Sequence, residues 1–247
     1  MDAPGEPRFS IVVPTLDEES TIARTLRRAR RAFGESAELI VVDGGSRDRT
    51  PTIAREAARV LTTPRGRGTQ LQAGCQEARG ELVVFLHADT WLEPDSGLRV
   101  EAAFADPEVA GGCCRFAVDP PARPFGRFAL LERGINWRTR WLGTATGDQA
   151  IVARREALER IGGVPPLPLF EDVVLVRRLR TKGRFVRLDV TAHTSRRRWE
   201  EHGFWSTVLQ HWALRAGFWL RISPGRLAGW YERQVGGDGE RAATGPV

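Results

Sequence analysis

Several short segments of the chain place acidic, imidazole or guanidinium groups where a backbone turn would expose them. His87 and Asp89 stand two residues apart after the apolar run LVVFL. If that strand continues through them, both side chains point to one side, and an imidazole beside a carboxylate can hold a divalent ion such as Mn2+. Asp43 follows LIVV and precedes Gly44 and Gly45, which supply a sharp turn. Glu18 and Glu19 follow FSIVVPTLD, where carboxylates accept hydrogen bonds from a nucleoside or from helix amides, and Asp17 or Ser20 is placed to cap the next helix. The lack of glycine after that first run argues against a dinucleotide site. Asp148 in TGDQ either bonds ligand hydroxyls or closes a turn. Glu171 and Asp172 open FEDVVLVRRLR, where negative charge stabilises a helix start. Arg65 and Arg67 in TTPRGRGTQ enter a helix through a glycine-punctuated loop suited to phosphate oxygens.

The elements that must position these groups read as an α/β protein. Short β-rich runs at Phe9 to Pro14, Leu39 to Asp43 and Leu82 to Leu86 alternate with helical spacing at Ser20 to Phe33, Asp48 to Ala58 and Thr69 to Ala78. That order predicts a parallel sheet with its ligands at the strand carboxyl ends. The segment DPPARP, Asp119 to Pro124, breaks any helix or strand and starts the second half. Arg27, Arg28, Arg30 and Arg31 fall in one helical run and read as a solvated face.

At 247 residues the chain suits one α/β domain with a sizeable core. Residues 1–7 and 236–247, rich in Gly, Pro and charge, are expected to be disordered. No basic stretch followed by an apolar run opens the chain and no apolar segment is long enough to span a bilayer, which predicts a cytoplasmic protein. Cys75, Cys113 and Cys114 match neither a disulfide framework nor a zinc spacing. Of the 37 Lys and Arg residues one is Lys, and the net charge is +6. The basic residues are dispersed and no binding module is evident, which argues against a specific nucleic-acid partner.

Taken together in order, PTLDEES, VVDGGSRD and FLHADT resemble glycosyltransferase family 2, and the resemblance continues through GDQAIVARREALERIGG and FEDVVLVRRLRTKGR, over roughly residues 8–200. HADT, GDQ, ED and SRRRW look most like the bacterial arsenosugar-biosynthesis or radical-SAM-associated subgroup, a name that fixes no acceptor. The resemblance implies a single GT-A domain at 8–200 with a mostly parallel central sheet flanked by helices, divided into a nucleotide-binding half (8–118) and an acceptor-side half (119–200). It implies an inverting, metal-dependent hexosyltransferase that takes a nucleotide-sugar donor, a UDP-sugar, to an unidentified acceptor. Pro14, Thr15 and Glu18 would line the nucleoside pocket, with Arg65 beside it, and Asp43 would accept from the base imide. Asp89 would hold Mn2+ or Mg2+ together with His87, which replaces the family's usual first aspartate. Asp172 would be the general base, Glu171 would orient it, and Asp148 would bind the sugar. Arg197, Arg198 and Trp199 in SRRRW resemble the QxxRW element of processive members, with Ser195 in place of the glutamine, and would sit beside the diphosphate.

The segment 201–235 adds a C-terminal helix. Over Gly203 to Ile222 a helical projection gathers Phe204, Trp205, Val208, Leu209, Trp212, Ala216, Trp219 and Leu220 on one half. That half is expected to pack on the catalytic domain or a twin subunit, or else to meet a membrane surface as a peripheral helix. Two competing functions are a sugar-1-phosphate nucleotidyltransferase, whose glycine-rich loop would replace PTLDEES, and a non-catalytic basic binding protein on the same fold.

Overall fold

The computed structural model describes residues 7–230; the flanking residues 1–6 and 231–247, where the expected disordered ends and the last part of the 201–235 segment fall, lie outside the described residues, as does the side chain of Arg198. The strands are β1 (Phe9–Thr15), β2 (Glu38–Asp43), β3 (Arg59–Thr62), β4 (Leu82–Phe85), β5 (Thr90–Leu92), β6 (Val109–Asp119), β7 (Ile151–Arg154) and β8 (Arg184–Ser195). The helices are α1 (Ile22–Phe33), α2 (Thr50–Ala54), α3 (Arg67–Glu77), α4 (Ser96–Phe104), α5 (Arg127–Leu142), α6 (Arg155–Ile161), α7 (Glu171–Leu179), α8 (Arg197–Glu201) and α9 (Phe204–Trp219).

One sheet of order β3-β2-β1-β4-β7-β6-β8-β5 runs through the molecule. Its first four strands are parallel, as the alternation of strands and helices predicts. Beyond β4 the sheet is mixed, since β7 runs antiparallel to β4 and β6, and β5 antiparallel to β8, while β6 and β8 are parallel. Strand β3 was not expected; its sequence RVLT is short and none of it is fully buried.

The apolar runs of the central strands are continuous because both faces of the sheet are covered. Ile11, Val13, Leu39, Val41, Leu82 and Val84 face one core, which is closed by Ile22, Leu26 and Phe33 of α1 and Phe104 of α4. Val12, Ile40, Val42, Val83 and Phe85 face the other, against Leu71 of α3, Leu158 of α6 and Leu175 and Leu179 of α7. Each such buried side chain stabilises by about 1.5–3 kcal/mol. With two faces locked, the register of every strand is fixed, and so is the point at which each chain leaves the sheet.

A third, smaller core joins α5, α8 and α9 to β6. Trp199 belongs there: it is 6% exposed, with its ring edge-on to Phe116 and Phe128 at 6.3 and 6.2 Å. Its expected place beside the diphosphate is therefore corrected, because one turn of α8 turns the indole inward. Arg28 also leaves the solvated face expected for it, lying over the Trp91 ring at 4.3 Å and 3.9 Å from Asp119. The three cysteines are free. Burial pushes the Cys75 thiol up to about 11 and that of Cys113 up to about 12, so neither forms a thiolate near neutrality.

The start of α3 lies against the segment 165–167 that leads into α7, and Gly68 makes this approach possible. A Cβ there would lie 2.4 Å from the Leu167 carbonyl oxygen and 2.8 Å from that of Pro165, both backbone atoms that cannot rotate away. Gly68→Ala should therefore lower stability by roughly 1–3 kcal/mol, the usual cost of overpacking, read as a shift in denaturant midpoint. A variant as stable as the parent would show that the two segments separate freely.

Candidate functional site

The carboxyl ends of the parallel strands converge, as expected, on the groups singled out in the sequence. Thr15 and Asp43 are register partners at the ends of β1 and β2. Asp43 is 2% exposed. Its Oδ2 accepts from the amides of Gly45 and Ser46, both at 3.0 Å, and its Oδ1 accepts from the hydroxyls of Ser46 and Thr15, the latter at 3.4 Å. Those four donors match the acceptor capacity of a carboxylate. Asp43 thus holds the DGGS turn, and the long Thr15 bond is the one that another donor would displace.

The loops after β1 and β2 are laced together by reciprocal bonds. Asp17 N–H donates to Ser46 Oγ at 2.9 Å, and Arg47 N–H donates to Asp17 Oδ1 at 2.7 Å. Glu19 N–H donates to Asp48 Oδ2 and Arg49 N–H to Glu19 Oε2, each at 3.0 Å. The expected capping of α1 by Asp17 or Ser20 is accordingly not what forms: Thr21 is the boundary residue and makes no side-chain cap. Beneath the loops, buried Gln70 donates to the carbonyls of Thr15 and Val42 at 2.8 Å each.

Glu18 faces the far half of the sheet. Its carboxylate takes Thr21 Oγ1 at 2.8 Å and Arg197 Nη2 at 3.2 Å, so the first strand end and the SRRRW segment meet across 179 residues of chain. Ser195 N–H donates to the Asp89 carbonyl at 3.0 Å, which brings the same segment against the HADT turn. Arg65 remains exposed and forms no ion pair among the described residues, whereas Arg67 enters the site.

His87 and Asp89 are not on a strand. Strand β4 ends at Phe85, and residues 87–90 form a turn closed by Thr90 N–H to the His87 carbonyl at 3.1 Å, so the alternation argument for pairing the two side chains does not apply. The carboxylate that His87 meets is Asp148, with Nδ1 3.1 Å from Oδ1. Its Nε2 is buried without a hydrogen-bond partner, and its ring lies on Gly147, where a Cβ would come within 2.4 Å of that nitrogen. The Asp89 carboxylate takes a 3.3 Å bond from Thr90. Among the described residues no group of three or more His, Cys, Asp or Glu could hold a metal. A divalent ion held by Asp89 would need a bound diphosphate to complete its coordination.

Asp172 and Glu171, in the first turn of α7, are 7% and 0% exposed. Asp172 accepts from Gly147 N–H at 2.8 Å and from Val173 N–H at 2.7 Å. The preceding Phe170 has φ 63°, a conformation costly for a bulky residue, and stacks on Phe218 of α9 at 4.5 Å. Glu171 is ion-paired to Arg67 of α3. Burial, the largest influence, lifts Glu171 above its ordinary 4.5, Arg67 lowers it, and Asp172 lifts it again. The site thus gathers His87, Asp148, Glu171 and Asp172, with Arg67, at the centre, and Glu18, Asp43, Asp89 and Arg197 along the ends of β1 and β2 and the turn after β4. Arg67, read from the sequence as facing phosphate oxygens, pairs with Glu171 instead; Gln70, Arg138 and Arg215 were not among the residues singled out as ligands, because nothing local in the sequence marks them as buried.

A family model described as Glycosyl transferase family 2 matches residues 10–162. The undecaprenyl-phosphate 4-deoxy-4-formamido-L-arabinose transferase of Pseudomonas paraeruginosa (strain DSM 24068 / PA7) is 34% identical over 115 residues, covering 41% of this chain and 34% of that protein. The probable glycosyltransferase YdaM of Bacillus subtilis (strain 168) is 26% identical over 230 residues, covering 84% of this chain and 54% of that protein. The chain thus spans about half or less of the length of these curated relatives. Among solved structures, the mannosyltransferase PcManGT from Pyrobaculum calidifontis, in complex with GDP-Man and Mn2+, superposes with a TM-score of 0.59 at 25% identity, over 77% of this chain and 57% of that one. S. aureus TarS 1-349 in complex with UDP-GlcNAc gives a TM-score of 0.58 at 22% identity, over 76% of this chain and 58% of that one. The fold is that of the GT-A enzymes.

Because folded Glu171 keeps its proton to higher pH than in the unfolded chain, its contribution to stability is complete below its ordinary 4.5 and is lost as the pH rises through the folded value. Arg67→Ala removes the opposing charge, so this loss should steepen. At neutral pH the variant should be less stable by roughly 3 kcal/mol, at the low end for a broken buried pair since the guanidinium is partly exposed. Glu171→Gln in the same background should restore part of it. Denaturant midpoints on either side of the carboxylate range measure both effects, and equal stability of R67A and parent at neutral pH would mean the pair contributes nothing.

Proposed function

The chain belongs to glycosyl transferase family 2, and from that premise we propose that it transfers a sugar from a nucleoside-diphosphate sugar to an acceptor hydroxyl, with inversion at the anomeric carbon. The observation that carries the proposal is Asp172, a buried carboxylate held by two backbone N–H groups at the rim of the acidic cluster. In the reaction, the acceptor oxygen bonds to the anomeric carbon as the bond from that carbon to the diphosphate breaks. Asp172 takes the hydroxyl proton, and the nucleoside diphosphate leaves with the bonding electrons. Pro14, Thr15 and Glu18 line the nucleoside pocket, and Asp43 accepts the base imide in exchange for the long Thr15 bond. Asp148, oriented by His87, binds the sugar, and Arg197 approaches the phosphates from its place on Glu18. Asp89, with His87 near it, would hold Mn2+ or Mg2+, and a bound ion would neutralise charge on the departing diphosphate. The Mn2+ and GDP-Man named for the mannosyltransferase support the metal and the class of donor. UDP as the nucleotide rests on the family resemblance, and placement in the arsenosugar-biosynthesis or radical-SAM-associated subgroup on the motifs HADT, GDQ, ED and SRRRW.

Hydrolysis of a panel of UDP- and GDP-sugars with Mn2+ tests the reading. Asp172→Asn should lower turnover by roughly two to four orders of magnitude with nucleotide affinity nearly intact, while Asp89→Ala should remove the metal-dependent part of the thermal shift that UDP produces. An Asn variant turning over near the parental rate would remove Asp172 from the chemistry.

The same reading includes a membrane-linked, lipophilic acceptor reached from the cytoplasmic face. On α9 the inward face is Phe204, Thr207, Leu214 and Gly217, and Trp205, Leu209, Trp212 and Trp219 are 65–71% exposed. Packing of the whole apolar half on the catalytic domain is thereby corrected: Phe204 and Val208 pack inward, while Trp205, Leu209, Trp212, Ala216, Trp219 and Leu220 point outward. The neighbouring α5 exposes Leu130, Trp137 and Trp141. A groove of about 670 Å3 along α5 is lined by Trp137 and Trp141 together with Arg115, Arg133, Arg140 and Arg187. Indoles beside guanidinium groups suit an anionic headgroup layer. No described helix is long and apolar enough to cross a membrane, so contact would be peripheral. The acceptor named for the Pseudomonas relative, undecaprenyl phosphate, supports this placement. The chain should co-sediment with anionic vesicles at low salt, and changing Trp205, Trp212 and Trp219 to Ala should release it. If the parent stays in the supernatant, the outward face is instead a contact between two copies, which sedimentation velocity would reveal.

A further inference from the structure

Two arginines beside the acidic cluster have no ion-pair partner among the described residues. Arg138 lies in the last turns of α5, where its Nη2 donates to Thr146 Oγ1 at 3.4 Å, a long bond. The adjacent Thr139 hydroxyl lies 3.0 and 3.1 Å from the Gln149 amide. Thr146 and Gln149 form the capping box around Gly147–Gln149, so Arg138 is tied to the segment that carries Asp148 and holds Asp172. The Arg138 Nε is buried and has no hydrogen-bond partner. Arg215 comes from α9, one turn before Phe218, whose ring stacks on Phe170 immediately ahead of Glu171 and Asp172. Both side chains are half-buried.

Burial first, and then the charge of Arg215, bring Arg138 down to about 10, while Asp172 and Asp148 pull it back up. Burial lowers Arg215 as well, against the same two carboxylates. Arg67 shows the contrast, because its guanidinium closes directly on Glu171. The like charges of the two half-buried guanidinium groups bear on each other, and a group that relieves this is an anion able to take hydrogen bonds from both forks. The placement separates this pair from the nucleotide loops: α5 packs on β6, three strands across the sheet from β1, or about 14 Å at the usual strand spacing.

We propose that Arg138 and Arg215 form a subsite for a phosphate monoester carried by the acceptor, next to Asp172. This rests on the reading of the Asp172 side as the acceptor side. The phosphate would sit between α5 and α9, presenting an acceptor hydroxyl toward Asp172. It could belong to a soluble phosphorylated polyol or to an amphiphile anchored in a membrane, since the recognising chemistry is shared.

Calorimetric titration of the full chain with glycerol 3-phosphate and with dodecyl phosphate, in parallel with UDP and Mn2+, tests this directly. The parent should bind at least one of the monoesters. Arg138→Gln and Arg215→Gln should each weaken that binding by about tenfold or more, as loss of a charge-assisted contact requires. UDP affinity should stay within about threefold, because the nucleotide loops lie elsewhere. The charge-retaining Arg138→Lys and Arg215→Lys, which also control for folding, should recover part of the affinity. Preference for glycerol 3-phosphate would identify a soluble acceptor, and preference for dodecyl phosphate an amphiphilic one. The proposal is overturned if the parent binds neither monoester, if the glutamine variants bind as the parent does, or if UDP affinity falls in step, which would assign the arginines to the donor diphosphate. Failure of every nucleotide sugar to be hydrolysed would sink the transferase reading while leaving these titrations interpretable.

Discussion

Two carboxylates buried side by side, Glu171 and Asp172, impose a demand that much of the surrounding structure meets. A charged group removed from water must be paired or hydrogen-bonded, and these two draw their partners from different parts of the chain. Arg67 at the start of α3 supplies the ion pair for Glu171. The Gly147 amide, on the segment between α5 and β7, supplies a hydrogen bond for Asp172. The first and second halves of the chain are therefore joined at the point where the chemistry is proposed to occur, and the close approach at Gly68 brings α3 near enough for it.

The sheet supplies the rigid frame for that junction. Because its central strands are covered on both faces, the strand ends are fixed, and loops leaving them can be organised by short polar side chains alone. Asp43, Asp17, Glu19 and Asp48 accept backbone N–H groups from their own or the neighbouring loop. These carboxylates fix the backbone of the two loops, so their conformation is set without help from a ligand. His87 is built in likewise, with one ring nitrogen facing Asp148 and the other enclosed against Gly147.

The layer of α5 and α9 follows a different logic. Its inner surface combines the small aromatic core around Phe128, Trp199 and Phe204 with the two arginines that face the acidic cluster. Its outer surface carries most of the large apolar side chains exposed on the molecule. A helix that keeps arginine toward the protein and tryptophan toward the outside reverses the usual arrangement of a surface helix. The reversal has a consistent cause if the inner face serves an anionic ligand and the outer one a headgroup layer.

The elements that depend on local pattern were legible in the residues. Short continuous apolar runs bounded by turn residues read as strands covered on both faces, and polar clusters closed them, so β1, β2, β4, α1 and α3 lie close to where periodicity placed them. Asp43, Glu18, Asp148, Glu171 and Asp172 were visible because carboxylates at strand and helix ends follow from turn chemistry. What could not be read were pairings between distant segments, since periodicity says nothing about which loops meet. His87 faces Asp148 rather than Asp89, Glu18 takes Arg197, and Trp199 turns into a core that exists only after α5 and α9 pack. The direction of α9 belongs to the same class. A helical projection finds two faces but not which one is inward, and here Phe204 on Phe128 and Phe218 on Phe170 decided it.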